Sequence, residues 1–182
     1  MTDEITFIEQ LKNVQTKEVA FRKLISQYKE RLYWHIRKIV ISHDDADDVL
    51  QNTFIKIFRN IDRFKQESKL YSWMYRIATN ESITFINKRA KERNIDITEV
   101  YSQLTSSLKS DVYFSGDEIK IILQKAIATL PQKQQLVFNM KYFDDLKYDE
   151  ISTILETSVG ALKASYFHAV KKIERYIKTQ TN

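Results

Sequence analysis

Scarcity of turn-forming residues constrains this chain's fold more than any other feature. Glycine occurs twice in 182 residues, at Gly116 and Gly160, and proline once, at Pro131. A sheet-rich domain turns at short intervals, and tight turns draw on Gly, Pro and Asn. A chain so poor in glycine and proline, with long runs of Lys, Glu, Gln, Leu and Ile, is expected to be all-α. Hydrophobic residues are 43% of it. That is enough for one ordinary domain or two small ones.

The helical periodicity falls into two blocks. In residues 1–93, helices are predicted from about Glu18 to Ile39, Asp44 to Phe64 and Leu70 to Lys91. The second of these has an apolar stripe, Leu50, Phe54, Ile57, Ile61 and Phe64, in steps of four and three. The third turns Leu70, Met74, Ile77, Ala78 and Phe85 inward. Residues 94–116 are rich in Ser, Thr and Asp and read as a flexible linker, with room for one weak helical or extended piece. Four short helices follow in residues 117–182, at about Asp117–Thr129, Gln132–Tyr142, Tyr148–Leu155 and from Ser158 to Lys178. Pro131 opens the second of them, a position proline favours. Glu156-Thr157-Ser158 forms a tight turn before the last, with Ser158 as N-cap, which is the helix-turn-helix arrangement. Residues 1–4 and 179–182 read as frayed ends.

Composition narrows the function classes. There is no cysteine, which excludes disulfides and thiolate metal sites. No run is apolar and long enough to insert in a membrane. The opening MTDEITFIEQ is acidic and polar and does not read as a secretory signal, so a cytoplasmic protein is expected. Lys and Arg number 29 against 24 acids, a net charge of +5 that permits nucleic-acid binding without requiring it.

Where the charges lie is more informative. On the last helix, Val159, Leu162, Tyr166, Val170, Ile173 and Ile177 share one side. Gly160, Ala161, Ala164, His168, Lys171 and Lys172 lie away from them. Small residues early on such a helix let its backbone approach a DNA groove, and later lysines can neutralise phosphates. A second cluster spans residues 63–93, where Lys65, Lys69, Arg76 and other cations interleave with Phe64, Tyr71, Trp73, Tyr75 and Phe85. Rings to stack unpaired bases and cations for the backbone are what single-stranded DNA needs. Trp73, Arg76, Asn80 and Asn87 share one face of that helix. A third cluster, Asp44, Asp47, Asp48, Gln51 and Ile55, lines one face at the start of the second helix. These acids suit the positive end of the helix dipole, and also an arginine-rich partner. A rival reading makes His43-Asp44 the metal pair of a phosphohydrolase. It lacks an accompanying histidine cluster, since His35 and His168 are the only others.

Together and in this order, the three clusters resemble the extracytoplasmic-function (group IV) branch of the sigma-70 family. DADDVLQNTFIKIFRNIDRF (45–64) is similar to that family's core-polymerase-binding helix, SKLYSWMYRIATNESITFINKR (68–89) to its −10-reading segment, and LPQKQQLVFNMKYFDDLKYDEISTILETSVGALKASYFHAVKKI (130–173) to its −35 module. The resemblance implies a sigma factor with two helical domains, no catalytic centre and no cofactor. Its partners would be core RNA polymerase and promoter DNA. An anti-sigma factor, which holds many family members inactive, is a further partner it allows. By resemblance, Asp44, Asp47, Asp48, Gln51 and Ile55 meet the polymerase. Phe64, Lys65, Lys69, Trp73, Arg76 and Asn80 engage the opened −10 element. Ser158, Gly160, Ala161, Lys163, Ala164, His168, Lys171 and Lys172 enter the −35 groove.

The chain departs from the family pattern in three ways. Ser165, His168 and Val170 stand where the family often has arginines, and Ala161 where it has threonine. Asn52 replaces a usual glutamate. Fewer long donors on the last helix imply recognition through phosphates and DNA shape. A stand-alone helix-turn-helix regulator of duplex operators is the other reading, but it leaves the aromatic-basic segment without a task.

Overall fold

The structure, a computed structural model, describes residues 2–111 and 117–181, and no strand occurs among them. The α-helices are α1 (Thr2–Lys12), α2 (Lys17–Val40), α3 (His43–Asn60), α4 (Leu70–Arg93), α5 (Ile97–Ser106), α6 (Glu118–Ala128), α7 (Gln132–Tyr142), α8 (Tyr148–Leu155) and α9 (Val159–Thr181). Short 3-10 turns lie at Ile61–Arg63 and Leu108–Ser110. The expected helices are present with ends within about four residues. Side-chain caps set several starts: the Asp45 N–H donates to Ser42 Oγ at 3.4 Å, and the Glu99 N–H to Asp96 Oδ1 at 2.8 Å. Asp117 caps α6, accepting from the Lys120 N–H at 2.9 Å, and this bond holds its carboxyl below the ordinary carboxylate range.

The corners are made almost without glycine. Ile41, Gln66, Asn94, Asp145 and Glu156 all have positive φ, between 51° and 67°. A β-branched residue there is strained, and Ile41 is held in place by burial of its side chain.

By its contacts the chain divides into two units, Met1–Ile83 and Thr84–Asn182, the division falling inside α4. In the first unit α2 packs on α3 and α1 on α2. Leu24, Leu32, Ile36, Ile57, Ile61 and Met74 are fully buried there. A polar chain crosses this core. The Thr79 hydroxyl donates to the Tyr75 carbonyl at 2.8 Å, so it can only accept from His35, whose Nε2 lies 2.9 Å away. His35 therefore carries its proton on Nε2. Met74 and Ala78 point inward as expected, whereas Ile77 and Phe85 are half-buried and Tyr75 and Ile86 fill the core instead.

In the second unit α9 packs across α6, α7 and α8. Ala126, Ile127, Leu130, Phe138, Ala169 and Ile173 form its centre. The Gln135 amide, buried beneath the α6–α7 corner, donates to the Leu130 carbonyl at 2.8 Å and closes the turn ahead of Pro131. Part of the segment expected to be a flexible linker is ordered here. α5 starts at the Asp96 cap, buries Val100 and Tyr101, and packs on α6. Its apolar residues, Ile97, Val100, Tyr101 and Leu104, recur at helical spacing among serines and threonines that mask the pattern, and Leu108 in the next 3-10 turn continues it. The end of the expected linker, residues 112–116 with Gly116, lies outside the described residues.

Thr79→Val keeps the shape of the buried side chain but removes the acceptor for His35. Urea unfolding should show a loss of about 1–3 kcal/mol. A change under about 0.5 kcal/mol would mean that the buried pair adds nothing to the first unit's stability.

Candidate protein and nucleic-acid interfaces

The acidic stripe is built by the register of α3. Ala46, Val49, Leu50, Phe54 and Ile57 face the core, which leaves Asp44, Asp47, Asp48, Gln51 and Ile55 on the exposed side. Ile55 is 42% exposed, and Phe58, one turn further on, is 36% exposed over the Phe21 ring. The surface is thus an acidic first turn running into an apolar patch. Such a pairing suits a cationic protein partner better than a metal. The His43 imidazole is engaged on both sides, by the Tyr33 hydroxyl at Nδ1 (2.6 Å) and by Asp47 3.7 Å from Nε2. Among the described residues no cluster of three His, Cys, Asp or Glu is placed to hold a metal ion. Behind the stripe, Lys56 of α3 forms an ion pair with Glu81 of α4.

The aromatic-basic face begins in the loop before α4. Lys65 and Lys69 are exposed there, and Gln66 takes the left-handed conformation that bends the chain. On α4, Trp73 and Arg76 are half-buried and Asn80 is exposed. The burial of Phe64 follows the apolar stripe and departs from the −10 contact that the resemblance implies. It is only 3% exposed and packs against Trp73 at 5.1 Å between ring centroids. A ring so enclosed has no face for a base. Its place is beneath Trp73, where it sets the angle of the half-buried indole.

Both ends of this loop are gripped by α1. The Lys12 ammonium donates to the Phe64 carbonyl at 2.6 Å, and the Leu70 N–H donates to Glu4 Oε1 at 3.1 Å. The second contact caps α4 from outside, since the first turn of α4 contains no acid of its own. Lys17 adds an ion pair to Asp62 at 2.9 Å. Residues 1–4 read as a frayed end, and nothing local in the sequence marks Glu4 or Lys12. Only the fold brings them to a loop some sixty residues away.

In the second unit the turn after α8 is closed by Glu156 in the left-handed conformation, and the Ala161 N–H donates to Ser158 Oγ at 3.4 Å. Leu162, Ala169 and Ile173 are buried, which leaves Ser158, Gly160, Ala161, Lys163, Ala164, His168, Lys171 and Lys172 exposed together. No heavy atom lies within 4 Å of a Cβ placed on Gly160, so its surface is open. Two of the lysines are restrained. Lys163 lies over the Tyr148 ring at 5.9 Å, and Lys171 pairs with Glu174 at 3.3 Å. Burial, and next the neighbouring Tyr166, hold the Tyr148 phenol protonated beyond its ordinary range. One side chain was absent from the sequence-based set: Phe167, 58% exposed beside His168. Its step from Lys163 and Lys171 is the signal that would have found it.

Comparison with known proteins agrees with this geometry. The family model for sigma-70 region 2 matches residues 24–92, and that for sigma-70 region 4 matches residues 120–173. The chain is 31% identical over 168 residues to ECF RNA polymerase sigma factor SigW of Bacillus subtilis, covering 87% of this chain and 89% of that protein. It is 25% identical to the ECF RNA polymerase sigma-E factor of Escherichia coli K12, over 98% of this chain and 95% of that one. Among solved structures it resembles CnrH in complex with the cytosolic domain of CnrY (TM-score 0.71, 17% identity, 97% of both chains). It also resembles the sigma factor RpoE bound to the anti-sigma factor NepR from Bartonella quintana, with TM-score 0.66 and 19% identity over 87% of this chain and 96% of that one. At these identities the structural likeness speaks for the fold.

Lys12→Ala and Glu4→Gln should each free one end of the 64–70 loop. Losing about 1 kcal/mol of local hold speeds amide exchange in the loop roughly fivefold, with little change in global stability. Exchange rates equal to those of the unaltered chain would show that α1 does not restrain the loop.

Proposed function

We propose, for a chain that belongs to the extracytoplasmic-function branch of the sigma-70 family, a division of its work between its two modules. The chain is a sigma factor that associates with core RNA polymerase and directs initiation at promoters. Residues 1–93 dock on the polymerase and hold the opened −10 strand. Residues 117–182 read the −35 duplex, and residues 94–116 connect them. The polymerase does the chemistry, and this chain supplies the address. It works in the cytoplasm; among the described residues no helix is long and apolar enough to cross a membrane.

The observation that carries this reading is one arrangement. The acidic stripe of α3 stands exposed in the first unit beside the part-exposed Trp73/Arg76/Asn80 face, and a helix-turn-helix face stands exposed in the second. A stand-alone operator-binding regulator would use only the last of these. The stripe, Asp44, Asp47, Asp48, Gln51 and Ile55, meets a cationic surface of the polymerase. Ile55 and Phe58 supply the apolar part of that contact. Lys65, Lys69, Trp73, Arg76 and Asn80 take unpaired bases and their phosphates, with Phe64 as support. Gly160, Ala161 and Ala164 let α9 sit close to the groove, and Lys163, Lys171 and Lys172 meet phosphates. With Ser165, His168 and Val170 in place of longer donors, few side chains can make bidentate base contacts. Phe167 adds an apolar surface suited to a thymine methyl. An anti-sigma factor covering the stripe would silence the chain.

The central test mixes the chain with core polymerase and maps transcripts; neither binding nor initiation would end this reading. Asp48→Ala with Gln51→Ala should weaken core binding about tenfold or more, near 1.4 kcal/mol, without loss of helicity. Unchanged affinity would remove the stripe from the interface. Lys163→Ala with Lys172→Ala should make the dependence of log affinity on log salt shallower by about 1.8, since each phosphate contact contributes about 0.9. An unaltered slope, with large penalties at one or two −35 bases, would mean direct base readout instead.

A further inference from the structure

The serines and threonines that mask the apolar pattern of α5 form a stripe of their own. Thr98, Ser102, Thr105 and Ser106 recur at helical spacing and line one wall of a groove in the second unit. The end of α6, with Lys125 and Thr129, and Tyr176 of α9 make the other walls. The groove is open to solvent and has a volume of about 410 Å3. That lies within the range of about 300–1,000 Å3 usual for small-ligand sites. We propose that it binds a small phosphorylated ligand of the nucleoside phosphate class, which staples α5 to α6 and α9. None of the polymerase or promoter contacts proposed above lies in this groove.

Hydrogen-bond roles in the groove are divided. The Thr105 hydroxyl donates to the Tyr101 carbonyl at 2.9 Å, that of Ser106 to the Gln103 carbonyl at 2.6 Å, and that of Thr129 to the Ala126 carbonyl at 2.7 Å. With their protons committed, these hydroxyls can only accept from a ligand. Donors come from Lys125, Thr98, Ser102 and the Tyr176 phenol. Lys125 is half-buried and makes no ion pair among the described residues, and no carboxylate among them lines the groove. One unpaired ammonium beside hydroxyl donors is the chemistry that takes a phosphate. Acceptors facing the same space suit the hydroxyls of a ribose, and the half-buried Tyr176 ring offers a surface to a base.

A nucleotide fits this lining better than a peptide. Ala128 is the one aliphatic side chain in it, and that residue is 8% exposed. A single cation meets one phosphate but not a run of acids. The seat of α5 also has a use for a staple. The Tyr101 hydroxyl is buried and makes no hydrogen bond among the described residues. Its desolvation weakens the docking of α5, and a ligand bridging three helices offsets that loss.

The test uses the full chain. It is titrated by calorimetry with adenosine and guanosine 5′-monophosphates, with the free nucleosides and with inorganic phosphate, and amide exchange is followed with each. One of the nucleotides should bind at millimolar concentration or below and slow exchange across residues 97–106 and 125–129. Lys125→Gln should weaken that binding about tenfold or more, the loss expected when a charge-assisted hydrogen bond to phosphate goes. Ser102→Ala should weaken it by a smaller factor. Ser102 is exposed, so its variant reports even if Lys125→Gln disturbs α6. No binding by either nucleotide, protection confined to the first unit, or full affinity in both variants would overturn the proposal. Inorganic phosphate binding as tightly as the nucleotides would overturn the nucleoside assignment. An acidic peptide that displaces the nucleotide and protects the same helices more strongly would make the groove a protein contact instead.

Discussion

The face proposed to hold a DNA strand depends on how the chain from Phe64 to Leu70 is held. The loop carries cations and a residue with positive φ, and left alone it would sample many conformations. Lys12 and Glu4 grip its two ends from α1, and Lys17 steadies the turn before it. Because Phe64 is buried under Trp73, fixing the loop also fixes the indole. The surface proposed to receive unpaired bases is thereby ordered in advance, which lowers the entropy lost on binding.

A second theme is how a glycine-poor chain turns its corners. Ile41 and Glu156 take positive φ at the ends of α2 and α8; Glu156 is in the left-handed helical conformation, where glycine is the usual choice, and Ile41 centres a tight turn closed by the Ser42 N–H donating to the Val40 carbonyl at 2.8 Å. The cost is borne by packing at Ile41 and by the short hydrogen-bonded turn at Glu156. Stiff corners of this kind keep α8 and α9 at a defined angle, which a groove-reading pair of helices requires.

The recognition helix balances exposure against restraint. Its small residues and open Gly160 allow close approach, but Lys163 and Lys171 already have partners in Tyr148 and Glu174. Such lysines, on the helix proposed to read the −35 duplex, are placed to meet phosphates and are poorly suited to reading base edges. The substitutions at Ser165, His168 and Val170 lead to the same conclusion from the sequence side.

Much of this was legible in the sequence because it is periodic. The apolar stripe of α3 leaves Asp44, Asp48, Gln51 and Ile55 outside by arithmetic alone, and the Ser158 turn marks the last helix pair. Local signals failed where the outcome depends on distant contacts. The resemblance makes Phe64 a strand contact, but it is enclosed by Trp73 as its place on the apolar stripe implies, and α5, legible only as one weak helical or extended piece, is settled by burial of Val100 and Tyr101 and packing on α6. By itself the sequence determined the all-α class, the starts of α2 to α4 and of α6 to α9, and the charge on each face, since these follow from nearest neighbours and a 3.6-residue repeat. The tertiary structure alone decided that α1 clamps the Phe64–Leu70 loop and walls a groove beside it. Glu4 and Lys12 meet that loop only once α1 has packed on α2, and no local spacing encodes a contact across some sixty residues.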